Sequence, residues 1–151
     1  MRTLALAIAA LILLAGSALA ATQDLTVSAK VIGTCQFTGK SDISFPDIYA
    51  NSNADATAEG SLTFWCTKNA TYDLTDEANW TVTDGSFTGT LSGVTATDSI
   101  PYQLTYTNSS GSGAGKTSPI TSVVTATILN ADYVDVEADT YSETVTFTVT
   151  P

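Results

Sequence analysis

Two runs of this 151-residue chain, one shortly after the first twenty residues and one at the C-terminal end, alternate between apolar and polar, mostly hydroxyl, residues, with Glu143 as the exception at an apolar position. Residues 25–31 read LTVSAKV, and residues 141–150 read YSETVTFTVT before the terminal Pro151. Because successive side chains of a strand point to opposite faces, a period of two predicts strands with one buried face. Two such strands at the ends of a β-domain leave one question open. Either the chain completes its own sheet, or its first strand serves a neighbouring molecule.

The first twenty residues have the pattern of a secretory signal peptide. Arg2 is the positive n-region, residues 4–15 are an apolar stretch, and residues 18–20 read ALA, a small-residue cleavage site. We expect cleavage before Ala21 and an exported product with no membrane insertion after cleavage. A retained membrane anchor is the alternative, although the apolar stretch is shorter than the roughly 20 residues of a spanning helix.

The charge of the exported chain excludes several classes of partner. Without Arg2, four lysines face fifteen acidic residues, a net charge of −11. This charge argues against binding to nucleic acid or to anionic lipid, which both require basic surface. No cofactor is expected either.

Cys35 and Cys66 are the two cysteines of the chain. In an exported protein, one disulfide between them is the favoured interpretation. Two thiolates could also bind a metal, but the sequence contains no histidine to complete a zinc site.

Short apolar-alternating runs separated by turn residues recur along the chain. The predicted strands are residues 24–32, 35–37, 43–46, 61–66, 72–74, 80–82, 86–91, 100–106, 120–129 and 141–150, with loops at 49–60, 108–115 and 130–140. Asp84-Gly85 is a strong hairpin signal because both residues tolerate positive φ. Many short strands without helical periodicity predict an all-β antiparallel sandwich or barrel.

Several of these segments together resemble one family. They are the run before Cys35, FPDIY at 45–49, SLTFWCT at 61–67 with YDL at 72–74, IPYQLTYT at 100–107, and DTYSETVTFTV at 139–149. In this order they resemble the spore coat protein U domain family, which includes pilin subunits of archaic chaperone–usher pili. Asp139 and Glu143 stand where that family usually has Gly and Asp.

The resemblance implies an immunoglobulin-like antiparallel sandwich that lacks its final strand and is completed by a donor strand from a neighbouring subunit. We therefore expect a signal peptide at 1–20, a donor-strand extension at 21–33 and an incomplete pilin domain at 34–151. The resemblance also implies a homopolymer of like subunits, a periplasmic chaperone and an outer-membrane usher during assembly, and a cell-surface location after export through the periplasm.

The alternation itself identifies residues for the exchange. Leu25, Val27, Ala29 and Val31 share one strand face and are the predicted donor residues. Val145, Phe147 and Val149, with Tyr141 near one end, are the predicted lining of the acceptor groove. The alternative is that residues 25–31 form an ordinary first strand of their own sandwich.

Enzymatic activity is not expected, and no catalytic residue is assigned, because histidine is absent and both cysteines are accounted for. Acidic residues at 76–77 and in the loop 130–140 are interpreted as solvated, with weak calcium binding by the loop as an alternative. Trp65 and Trp80 are interpreted as packing residues rather than as sugar-stacking residues of an adhesin.

The sequence thus favours a structural pilus subunit for adhesion or biofilm formation. The alternatives are a monomeric or tip adhesin, or a coat protein with a self-complete sandwich.

Overall fold

The computed structural model describes residues 20–76 and 86–151, and the chain divides into two units, residues 1–31 and 32–151. The described part of the first unit, residues 20–31, is exposed throughout and contains no strand. The predicted signal peptide lies, apart from Ala20, outside the described residues. So do the predicted strand at 80–82 and the Asp84-Gly85 hairpin.

The second unit is built from strands. They are β1 (Cys35–Ser41), β2 (Ala56–Cys66), β3 (Thr71–Asp76), β4 (Ser86–Gly93), β5 (Ser99–Tyr106), β6 (Ser110–Ser112), β7 (Ile120–Ile128), β8 (Tyr141–Ser142) and β9 (Phe147–Thr150). A single 3-10 turn, Asn130–Asp132, is the one helical element within residues 20–76 and 86–151. Accordingly, the described chain offers no helix of the length and hydropathy that a membrane crossing requires.

The strands form two antiparallel sheets. The large sheet has the order β1-β2-β7-β5-β4-β8, and the small sheet has the order β6-β3-β9. The large sheet pairs in long registers, for example Ala56 with Ile128 and Phe64 with Ile120 between β2 and β7. The predicted all-β, immunoglobulin-like sandwich is confirmed.

The core lies between the two sheets because alternate residues of the strands face inward. In β5 the buried side chains are Ile100, Tyr102, Leu104 and Tyr106, and the residues between them are exposed or half-buried. Aromatic pairs join the sheets: Phe64 of β2 meets Tyr72 of β3 with centroids 5.1 Å apart, and Tyr106 of β5 meets Phe147 of β9 at 5.4 Å. Such edge-to-face pairs add to the stabilisation from buried area.

Several predicted strands differ in the structure, among them residues 24–32, which form no strand, and residues 143–146 of the predicted last strand, which belong to neither sheet. Residues 56–60, predicted as loop, begin β2 because they pair with residues 124–128 of β7. Residues 110–112, also predicted as loop, form β6 against β3. Residues 43–46, predicted as a short strand, belong to no strand of the described chain.

Candidate functional site: an open apolar groove beside the last strand

The terminal alternating run contributes to both sheets. Its first residues form β8, which pairs with β4 at the edge of the large sheet, and its last residues form β9, which pairs with β3 in the small sheet. Residues 143–146 connect the two and belong to neither ladder. The run therefore crosses from one sheet to the other and leaves a stretch of extended backbone without a strand partner in the described chain.

A second unpaired segment lies across from it. Residues 42–48 follow β1 without strand pairing, and their apolar side chains Ile43, Phe45 and Ile48 pack against the core. Gly60 of β2 permits this approach, since a Cβ on it would lie 2.5 Å from the Ser41 carbonyl oxygen and 2.7 Å from Ile43 Cγ1. Residues 42–48 form one wall of a groove, and residues 136–147 form the other.

The groove has an apolar floor supplied by the large sheet. Its volume is about 850 Å³, and its floor consists of Leu91, Ile100, Tyr102, Leu104, Val124, Ala126 and Ile128. A smaller hollow of about 420 Å³, lined by Phe37, Leu62, Val145 and Phe147, adjoins it. Lys40, Leu62, Val145 and Phe147 line both hollows, so the opening continues along the gap between β1 and β9.

Strand edges flank this gap. Within the described residues, β1 pairs with β2 alone and β9 pairs with β3 alone, so each is an edge strand of its sheet. An edge strand presents unpaired N–H and C=O groups that can accept a further strand. An apolar floor between two such edges can bind one extended segment through its main chain and its alternate side chains.

The predicted acceptor residues occupy different places along this groove. Tyr141, Val145 and Phe147 line it. Val149 lies farther along β9, half-buried against the core and outside the groove lining. Threonines at 146, 148 and 150 alternate with these residues and are exposed, as the period of two predicts.

The predicted donor residues are exposed. Leu25, Val27 and Val31 have exposed fractions of 87%, 87% and 82%, and Ala29 is also exposed. Side chains of this size are usually buried in a soluble protein, and several in alternation are typical of a segment that is covered by a partner.

The start of β1 is fixed by covalent and hydrogen bonds. The predicted disulfide is present: Cys35 and Cys66 face each other in the β1–β2 register and are joined by a bond of 2.04 Å. Just before it, Thr67 N donates to Thr34 O at 2.9 Å, and Thr34 N donates to Thr67 Oγ1 at 3.0 Å.

Carboxylates surround the apolar floor. Asp42, Asp47, Glu137, Asp139 and Glu143 line the groove together with one cation, Lys40. Lys40 Nζ lies 2.6 Å from Asp42 Oδ1, which makes an exposed ion pair. Thr90 N donates to Glu143 Oε2 at 3.1 Å. The pKa of Tyr102 on the floor is raised, mainly because its side chain is buried and secondly because the Glu143 carboxylate lies nearby.

Asp139 closes the loop between β4 and β5. Its Oδ2 accepts hydrogen bonds from Thr95 N at 2.6 Å and from Ala96 N at 2.7 Å. Because hydrogen bonds from Ala96 and Thr95 favour the ionised form, they lower the pKa of Asp139 to about 2. Asp139 thus has a local structural role in holding this loop.

The other sequence candidates that the structure describes do not form a second site. In the described chain, no group of three or more potential ligands is arranged to hold a metal ion. The interpretation of Asp76 as solvated is wrong, since it is 8% exposed at the end of β3, whereas Glu77 and Trp80 lie outside the described residues. Trp65 is half-buried, with Lys116 Nζ 5.7 Å from its ring centroid, as expected for a packing residue.

Sequence reasoning did not identify the wall at 42–48 or the groove carboxylates. The alternation of Ile43 and Phe45 was visible, but it indicated only a short strand. Glu143 occupies a position where the period of two predicts an apolar residue, and this exposed charge at the change of sheet between β8 and β9 is the signal in the sequence that could have pointed to the groove.

The comparison with protein-family models gives a match over most of the chain. A family model described as Spore Coat Protein U domain matches residues 21–148. No curated protein and no solved structure matches the chain.

Proposed function

Because the chain belongs to the Spore Coat Protein U domain family, the family of archaic chaperone–usher pilins, we propose that it is a structural pilus subunit that polymerises by donor-strand exchange. Residues 21–33 of one subunit insert into the groove of the next, with Leu25, Val27, Ala29 and Val31 facing its floor. The family is a structural pilin family and not an enzymatic one.

The observation that carries the proposal is the open apolar groove between the edge strands β1 and β9. A groove of this kind, in contact with water, is a hazard for a soluble monomer because it exposes apolar surface and unpaired strand edges. An inserted strand removes both problems at once.

The inserted side chains supply a substantial part of the binding free energy. Burial of Leu25, two valines and one alanine contributes roughly 5–9 kcal/mol, at about 1.5–3 kcal/mol for each large apolar side chain and less for alanine. A slip of one residue would direct Thr26, Ser28 and Lys30 onto the apolar floor, so the register is strongly specified.

The contact leads to a filament rather than to a closed dimer. The donor segment and the groove are different surfaces of one subunit, so the interface is heterologous, and a heterologous contact that does not close produces an open fibre. A periplasmic chaperone that occupies the groove before exchange, and an outer-membrane usher that directs it, complete the proposal. The product is a surface fibre for adhesion or biofilm formation.

A pair of matched substitutions tests the proposal in the full chain. Val27→Asp places a charge on the proposed buried face, and Thr26→Asp places the same charge on the outer face. We expect Val27→Asp to abolish fibres in electron micrographs and higher species in unheated gels, whereas Thr26→Asp retains both. Equal polymerisation by both variants, with unchanged circular dichroism, would contradict donor-strand exchange.

A further inference from the structure

We propose that the carboxylates at one end of the groove recognise Lys30 of the inserting segment and so determine the direction of insertion. The inference rests on the proposed function, since the segment that would occupy the groove is residues 21–33 of a second copy of this chain. It adds an electrostatic selection step that the apolar side chains alone do not provide.

The groove has two distinguishable ends. At one end, here called the exit end, lie Cys35, Cys66 and the chain terminus, and a Cβ on Gly33 would lie 3.5 Å from the Cβ of Pro151. The opposite end, here called the far end, includes Ile48 and Tyr133, whose hydroxyl donates to Ala54 O at 2.7 Å, just before β2 begins at Ala56. The last run leads from the far end through β9 to the exit end.

Two carboxylates of the groove are available to a partner. Asp42 is paired with Lys40, Asp139 accepts two backbone N–H groups, and Glu143 accepts one. The carboxylates of Asp47 and Glu137 line the groove toward the far end, one from each wall, and accept no hydrogen bond or ion pair from the described residues. They leave the far end with negative charge that is not compensated locally.

The donor segment has one charged side chain of each sign, at positions that both face away from the apolar side. These side chains, Asp24 and Lys30, are six positions apart, and cleavage before Ala21 would add an α-ammonium group three residues before Asp24. In an extended strand the six positions span roughly 20 Å, at about 3.3 Å per residue. Since this distance exceeds the Debye length of about 8 Å at physiological ionic strength, each charge responds mainly to its own end of the groove.

The two directions of insertion therefore differ in electrostatic energy. Insertion antiparallel to β9 brings Lys30 to the far end, near Asp47 and Glu137. Insertion parallel to β9 brings Asp24 there instead, next to the α-ammonium of the cleaved chain, so the inserted end carries no net charge and the attraction of Lys30 is lost. A difference in charge complementarity between two orientations is a common source of specificity at interfaces. The antiparallel direction also places the donor's own domain beyond the far end, away from the exit end where the acceptor's N-terminal segment leaves.

Charge reversal in the full chain tests this selection. The variants are Lys30→Glu, Glu137→Lys and the double variant, and the measurement is the initial rate of polymer growth at low and at high salt. Glu59→Lys is the matched control for the reversal at position 137, because Glu59 is exposed on β2 and lies outside both the donor segment and the groove lining. We expect each single reversal at positions 30 and 137 to slow growth at low salt by about tenfold, since charge complementarity acts mainly on association.

The double variant shows whether residues 30 and 137 attract each other or whether each substitution simply impairs polymer growth. Lys30→Glu combined with Glu137→Lys restores opposite charges and should recover most of the rate, while added salt reduces the differences between variants. A double variant no faster than Lys30→Glu, or a Lys30→Glu chain that grows at the wild-type rate, would overturn the inference. Val27→Asp separates this failure from failure of the proposed function: if it stops growth while Lys30→Glu has no effect, only the electrostatic step is wrong.

Discussion

Cys35 and Cys66 are directly opposite each other at the first rung of the β1–β2 ladder, and their sulfur atoms are bonded. The disulfide therefore closes the loop that contains the whole groove wall at 42–48. In the chain-entropy model, closing a loop with a sequence separation of 31 stabilises the fold by about 3–4 kcal/mol.

Removal of this disulfide should lower the free energy of unfolding by about that amount. The measurement is chemical denaturation of a Cys35→Ser/Cys66→Ser variant beside the oxidised protein. Wild-type protein treated with reductant should give the same midpoint as the variant. A double variant as stable as the oxidised chain would show that β1 needs no covalent attachment.

Donor and acceptor functions should be separable by substitution. Val27→Asp disables the donor face only, so its groove still accepts a segment, whereas Val145→Asp places a charge on the groove lining and leaves the donor segment intact. Each variant alone should remain monomeric, and their equimolar mixture should form heterodimers and no longer species. Multi-angle light scattering measures the masses, and circular dichroism of Val145→Asp verifies its folding. Long polymers in the mixture would contradict the assignment of Val145 to the groove.

The stability of the chain in acid should depend on Asp139. Its pKa is about 2 in the folded chain and 3.8 in the ordinary carboxyl, so the folded state favours the ionised form. A depressed folded-state pKa contributes stability that is present above pH 3.8 and is lost as the pH falls toward 2. Thermal unfolding between these values should show a smaller decrease for Asp139→Asn than for wild type. Asp135→Asn is the matched control from the same loop and should follow the wild-type profile.

The close approach of the groove wall to β2 should tolerate no side chain at position 60. A Cβ there would meet the Ser41 carbonyl oxygen at 2.5 Å, so Gly60→Ala must displace the start of the wall. We expect a loss of about 1–3 kcal/mol in the free energy of unfolding, as for overpacked cores. Gly39→Ala, whose nearest contact would be an ordinary 3.8 Å from Thr63 Cβ, should be close to neutral. Equal stabilities of the two variants would show that the wall adapts without cost.

The period of two was sufficient to predict an antiparallel sandwich or barrel, and the family resemblance selected the sandwich. The disulfide was predictable because two cysteines allow a single connection. Boundaries that depend on pairing between distant segments were not predictable. Residues 56–60 are small and polar, and they form strand only because β7 lies beside them.

The groove was predictable on one side only. Val145 and Phe147 follow from the alternation, but the crossing of the chain between Ser142 and Phe147 is marked only by Glu143, an exposed charged residue at a position where the period of two predicts a buried one. The opposite wall depends on a close contact permitted by Gly60, and a lone glycine in a polar run gives no sign of such a contact.

The bonds at Thr34 and Cys35 also determine how the fold responds to tension. A force applied at residue 33 is transmitted to Thr34, which is hydrogen-bonded to Thr67, and then to Cys35, which is covalently joined to Cys66. Unzipping of β1 from β2 cannot begin at that rung while the disulfide is intact. The load passes instead into β2, whose ladder with β7 extends from Ala56 to Phe64, and such a long strand must shear many hydrogen bonds together before it yields.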